Sequence, residues 1–79
     1  MRLDKYLKVS RLIKRRTVAN EACDAGRVMI NGIVAKASTN VKAGDIIDIS
    51  FGNKDVKVEV LDVQDTVKKD EAKELFKYL

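Results

Sequence analysis

The sequence contains no His and a single Cys. Zinc sites of the usual Cys/His kinds and a disulfide framework are thereby excluded. The commonest general acid–base group is missing as well, which points away from an enzyme. Trp is absent, and the aromatic residues are only Tyr6, Phe51, Phe76 and Tyr78. That is too few for the base-stacking platforms of single-strand binders. The missing Trp and the short apolar faces also argue against a membrane-surface helix. No apolar run approaches the ~20 residues of a membrane span, and no signal-peptide core is present. At 79 residues the chain has room for one small core and no second domain. Its 46% hydrophobic and 35% charged residues suit a folded protein and not a disordered tail. The expectation is a single domain over 1–79, cytoplasmic and monomeric, that binds without a cofactor, a metal or a membrane.

The net charge of +4 conceals a sharp polarity. Arg2, Lys5, Lys8, Arg11, Lys14, Arg15 and Arg16 stand against Asp4 alone in the first 16 residues. The rest of the chain carries nine basic and eleven acidic residues. All five Arg, Arg27 included, lie within the first 27 positions, while Lys is spread throughout. Arg grips phosphate with a planar fork, whereas Lys offers a point charge. An Arg-weighted basic end on an acidic body reads as a polyanion-binding face. The competing reading is a solvated surface that only aids solubility.

Leu3, Tyr6 and Leu7 recur at helical spacing and predict a helix over 2–9, with Arg2, Lys5 and Lys8 as a basic stripe beside them. Ser10 is a natural break whose hydroxyl can cap the next segment. Val18, Ala19, Ala22 and Cys23 predict a second helix over 16–25, ended by a left-handed Gly26. The period then becomes two. Val28 and Ile30 precede the hairpin signal Asn31-Gly32, followed by Ile33, Val34 and Ala35. Ala43-Gly44-Asp45 and Gly52-Asn53 read as turns around the strands carrying Ile47, Ile49, Val56, Val58 and Val60. Ala72, Leu75, Phe76 and Leu79 predict a C-terminal helix over 68–79, capped at Asp65 or Thr66. The fold class is α+β, in the order α-α-β-β-β-β-α. Phe51, Phe76 and Cys23 read as core, and Tyr6 as core or rim.

Arg2 at a helix N-terminus conflicts with the macrodipole, and a phosphate held by that helix's amides and the guanidinium would remove the conflict. A frayed terminal residue is the alternative. Asp4 either steers a neighbouring Arg or favours the helix start. Arg15 and Arg16 open the second helix, so a phosphate there would meet the helix end and both side chains. Structured RNA, read by backbone and shape, suits such an Arg-rich, aromatic-poor face.

Arg2-Leu3-Asp4-Lys5-Tyr6-Leu7, Ser10-Arg11, Arg16-Thr17-Val18-Ala19, Gly26-Arg27-Val28, Asn31-Gly32 and Val41-Lys42-Ala43-Gly44-Asp45-Ile46-Ile47 occur in this order. The pattern resembles the RNA-binding domain named after ribosomal protein S4, the αL RNA-binding motif, and covers roughly residues 1–50. The strand and helix over 54–79 follow it. The resemblance implies two N-terminal helices packed on a small curved antiparallel sheet. It also implies RNA contacts from Arg2, Asp4, Lys5, Lys8, Arg11, Lys14, Arg15, Arg16 and Arg27. Two departures stand out. Many family members carry a Pro near Ala37-Ser38, and this chain has none; the usual Ser before the helix-two Arg is here Arg15. Spacing to Gly26 favours Arg16 as the phosphate-gripping residue.

Among stand-alone forms, the chain resembles the heat-shock-protein-fifteen-like proteins, and more closely the short Gram-positive family of ribosome-associated quality control. That resemblance implies contacts to large-subunit rRNA and peptidyl-tRNA on stalled large ribosomal subunits, in support of C-terminal Ala-tail elongation with an Ala-tailing factor. The alternatives are a general rRNA-binding assembly factor and an RNA-targeting module for a separate enzyme.

Overall fold

The computed structural model describes residues 1–79. The chain opens with helix α1 (Leu3–Val9) and helix α2 (Arg16–Asp24). Strands β1 (Val28–Ile30), β2 (Ile33–Val34), β3 (Ile46–Ser50), β4 (Asp55–Val60) and β5 (Phe76–Tyr78) follow, with a 3-10 turn at Ala72–Glu74 before the last. All neighbours in the sheet are antiparallel, in the order β2-β1-β3-β4-β5. One core joins Leu3, Tyr6 and Leu7 of α1 and Ala19 and Cys23 of α2 to Val28, Ile47, Ile49, Val58 and Val60 of the sheet. No helix is long and apolar enough to cross a membrane.

Local chemistry sets the boundaries. Ser10 ends α1 and does not cap the next segment as expected: its hydroxyl donates back to the Leu7 carbonyl at 3.3 Å. Arg11 then adopts the left-handed region (φ 63°), reversing the chain towards α2. Gly26 (φ 74°) terminates α2 in the same conformation, as its sequence position predicted. In the β1–β2 hairpin Asn31 (φ 53°) and Gly32 (φ 82°) form a two-residue turn with both φ positive, which Asn-Gly supports with little strain. The Asn31 side chain donates to Asp45 at 3.2 Å and accepts from the Ile46 amide at 3.0 Å, tying that turn to the start of β3.

The C-terminal helix expected over 68–79 is not formed. Ala72, Leu75 and Phe76 are buried as the helical spacing required, but Leu79 is 62% exposed. Phe76-Lys77-Tyr78 alternates, and β4 offers an open edge whose amides and carbonyls need partners. Pairing Val60 with Phe76 and Val58 with Tyr78 supplies them. Neither Asp65 nor Thr66 caps a helix. Phe51 also departs from expectation, with 45% of its surface exposed. Strand β3 ends at Ser50, and the Phe51 amide turns to bond the Lys54 carbonyl at 2.7 Å. Its ring is left at the rim of a groove floored by Ile13, Ala22 and Ile49.

Tyr6 is fully buried, which resolves it as core. Its hydroxyl donates to the Leu75 carbonyl at 2.7 Å, and burial pushes the phenol well above its ordinary pKa of 10.0. Leu75 O also accepts from the Leu61 amide at 2.8 Å. One carbonyl thus fastens α1, the end of β4 and the last segment together.

Candidate nucleic-acid interface

Asp4 sits in the first turn of α1, almost fully buried. Its carboxylate accepts from Arg2 Nε at 3.2 Å and Arg2 Nη2 at 3.4 Å. On the other side Arg16 approaches it with Nη2 at 3.5 Å and Nε at 3.4 Å. Asn20 Nδ2 at 3.4 Å and the Lys5 amide at 2.8 Å complete the shell. Burial raises the pKa of this carboxyl, but the bonds from Arg16, Arg2, Asn20 and the Lys5 amide outweigh it and hold it below the ordinary 3.8. Asp4 therefore stays ionised at neutral pH and fixes two guanidinium planes side by side.

The two Arg side chains remain 52% and 46% exposed. Each guanidinium has five N–H donors and directs two nitrogens to Asp4, so further donors face solvent. Beside Arg16 the first amides of α2, those of Arg16, Thr17 and Val18, find no acceptor in the chain. Arg15, the N-cap, provides no side-chain cap. The result is a small cationic surface with fixed forks and free amides, suited to anionic oxygens.

The start of α1 offers no such amides. The Leu3 amide donates to Thr39 O at 2.8 Å and the Asp4 amide to Ala37 O at 3.2 Å, with Lys5 N–H on the Asp4 carboxylate. The 36–39 loop caps this helix, so the phosphate seat expected at its N-terminus is closed. Arg2 escapes the dipole conflict through Asp4 instead.

The remaining residues separate into groups. Lys5 reaches Asp65 at 3.2 Å, across from the last segment. Lys8, Arg11 and Lys14 line a cleft on that same side, opposite Lys69. Arg15 is exposed and joins neither group. Arg27 lies after α2, beside the apolar groove of Val18 and Phe51. Two participants escaped the sequence reading. Asn20 lies four residues after Arg16, one turn along α2, so helical spacing could have placed it on Asp4. Lys69 had no local signal. Cys23 is buried with its thiol pushed up to about 11, chiefly by burial and then by Asp4 and Asp24, which leaves it unreactive.

The Asp4 cluster lies in the first half of the chain, and residues 1–47 match the S4 domain family. The chain belongs to the S4 domain family. Its relatives include a protein of Halalkalibacterium halodurans, 60% identical over 96% of this chain and 86% of the relative, named RQC P-site tRNA stabilizing factor. A protein of Bacillus subtilis with the same name is 57% identical over all of this chain and 92% of the relative. The trimeric heat shock protein 15 of Vibrio cholerae superposes with a TM-score of 0.92 at 30% identity, covering all of this chain and 81% of that one. The S4 match contains Asp4, both of its guanidinium partners and the hairpin. Strands β4 and β5 lie beyond it and complete the sheet.

Proposed function

We propose that this S4 domain protein acts in ribosome-associated quality control. It binds the large ribosomal subunit and stabilises P-site tRNA there, gripping phosphates of rRNA and peptidyl-tRNA. It works by binding and positioning, in the cytoplasm, without catalysing a reaction. The observation that carries this reading is the buried Asp4 carboxylate holding Arg2 and Arg16 in fixed, half-exposed planes beside the free amides of α2. Pre-set forks lose little entropy on meeting a phosphate, which favours a rigid polyanion over a flexible one. Whole-length relatives with one shared name support the same conclusion. Arg16 is the principal phosphate contact, because Asp4 orients it and leaves Arg15 loose. Arg2, Lys5, Lys8, Arg11, Lys14, Arg15 and Arg27 add charge around it, and Asp4 is a positioning residue.

By stabilising the peptidyl-tRNA, the protein supports Ala-tail elongation of stalled chains by a separate Ala-tailing factor. Sedimentation of ribosomal particles from cells carrying a tagged chain tests this reading. The tagged protein is expected with large subunits that hold peptidyl-tRNA, and Ala tails on stalled products are expected to shorten when it is removed. Comigration with immature subunits lacking tRNA would identify an assembly factor instead. Recovery off the ribosome with one enzyme would identify a targeting module.

A further inference from the structure

Of the four Asn in the chain only Asn31 is followed by Gly; Asn20, Asn40 and Asn53 precede Glu21, Val41 and Lys54. Asn-Gly is the pair most open to attack by the following backbone nitrogen on the side-chain amide carbon, because no Cβ stands in the way. In this hairpin the attacking nitrogen is free. Asn31 and Gly32 are both exposed. No group beyond the chain neighbours of Gly32 lies within 4 Å of the place a Cβ would take. The Gly32 amide donates to no acceptor in the chain. The other three positions differ: the Val41 amide is held by the Met1 carbonyl at 2.8 Å, Glu21 lies within α2, and Lys54 brings a side chain of its own.

The group under attack, by contrast, is clasped. The Asn31 side-chain nitrogen donates to Asp45 at 3.2 Å, and its oxygen accepts from the Ile46 amide at 3.0 Å. Asp45 is buried and also accepts from the Lys42 amide at 3.0 Å, which fixes its carboxylate in place. Ring closure requires the Asn31 side chain to leave both partners and turn its Cγ onto the Gly32 nitrogen. The clasp is therefore a brake on a reaction whose other requirements the turn already meets.

We propose that Asn31-Gly32 is a site of spontaneous modification, held in check by Asp45 and the Ile46 amide, and that its product unfastens the β1–β2 hairpin from β3. The Gly32 nitrogen bonds to Asn31 Cγ and gives its proton to water, while the Cγ–Nδ2 bond breaks and that nitrogen leaves as ammonia. Water then opens the five-membered imide. Attack at Cγ gives Asp, and attack at the main-chain carbonyl gives isoaspartate. One water is consumed, one ammonia is released and nothing is oxidised or reduced. Either product exchanges a neutral amide for a carboxylate beside Asp45, setting like charges where a hydrogen bond stood. Isoaspartate also adds a methylene to the backbone of a two-residue turn, whose paired positive φ angles it cannot keep. The hairpin lies inside the S4 match, so the change falls in that half of the chain.

The test follows the full chain during incubation at neutral pH. Trypsin leaves each Asn in a separate peptide, with Asn31 in 28–36. Mass spectrometry reads the one-dalton gain of the reaction, and chromatography separates Asp from isoaspartate. In the folded chain, peptide 28–36 is expected to gain mass ahead of the peptides carrying Asn20, Asn40 and Asn53. It is expected to do so several-fold more slowly than in the same chain held unfolded in urea. Asp45→Ala and Asp45→Asn, the second keeping the side-chain size, are each expected to speed the reaction several-fold when incubated below their melting transitions. Asn31→Asp, which carries the product's charge from the start, is expected to melt several degrees below wild type. Conversion of Asn31 no faster than that of Asn53 in the folded chain would overturn the site. Wild-type rates in the folded Asp45 variants, or equal rates in the folded chain and in urea, would overturn the brake. An Asn31→Asp melt matching wild type would overturn the unfastening of the hairpin.

Discussion

Asp4 shows how one acidic residue can serve a basic surface. Without it, two adjacent guanidiniums would repel each other and swing freely; with it, they share one carboxylate at 3.2–3.5 Å. Asp4→Asn keeps the shape but removes the charge and replaces one of the two accepting oxygens, which bond the Lys5 amide and Asn20, with a donor. Its partners are half exposed, so solvent screening limits the loss to about 1–2 kcal/mol of stability. The folded pKa lies below the ordinary 3.8, so the unfolded chain takes up its proton first as pH falls. The Asp4 contribution is therefore complete well above pH 3.8 and disappears as the pH drops through the lower folded value. Melting curves of wild type and Asp4→Asn are expected to differ at pH 7 and to converge below pH 3.8. A constant gap across that range would mean that the charge of Asp4 contributes nothing.

At the scale of elements, the short C-terminal strand is what closes the molecule. Phe76 is buried, packs edge-on to Tyr78 with centroids 5.2 Å apart, and pairs with Val60 at the sheet edge. Phe76→Ala is expected to cost about 3 kcal/mol, transfer and cavity together, a large share of the stability of so small a domain. A thermal melt within a degree or two of wild type would contradict that packing. This strand was also the element that the sequence hid. Helix α1, helix α2 and the Asn31-Gly32 hairpin were legible because spacing, Gly26 and the turn residues act over a few positions. Ala72, Leu75, Phe76 and Leu79 fit a helical period by number alone, and only the distant edge of β4 converts the stretch to a strand. Phe51 misled for a related reason: its alternation with Ile47 and Ile49 is real, but β3 stops one residue earlier. The Asp4–Arg16 contact was foreshadowed as steering of a nearby Arg, whereas the Lys69 side of the cleft depends on a contact between chain segments that no local pattern encodes.

Over the whole molecule, the first 16 residues, from α1 to the start of α2, set seven basic groups against Asp4 alone, while the sheet and last segment carry most of the acids. That polarity orients the protein on a polyanion as well as attracting it. With about four to six phosphates neutralised, log affinity for the large subunit is expected to fall linearly with log salt at a slope of about −3 to −5. A flat response would mean that protein–protein contacts dominate. The most direct test is the affinity of Arg16→Lys for large subunits carrying P-site tRNA. Lys keeps the charge but cannot present two nitrogens to Asp4 and further donors to a phosphate in one plane. A loss of about tenfold, with Arg16→Ala losing more, is expected for a charged bidentate contact. Wild-type affinity in Arg16→Lys and Arg16→Ala alike would contradict the assignment of the Asp4-oriented guanidinium as the RNA contact.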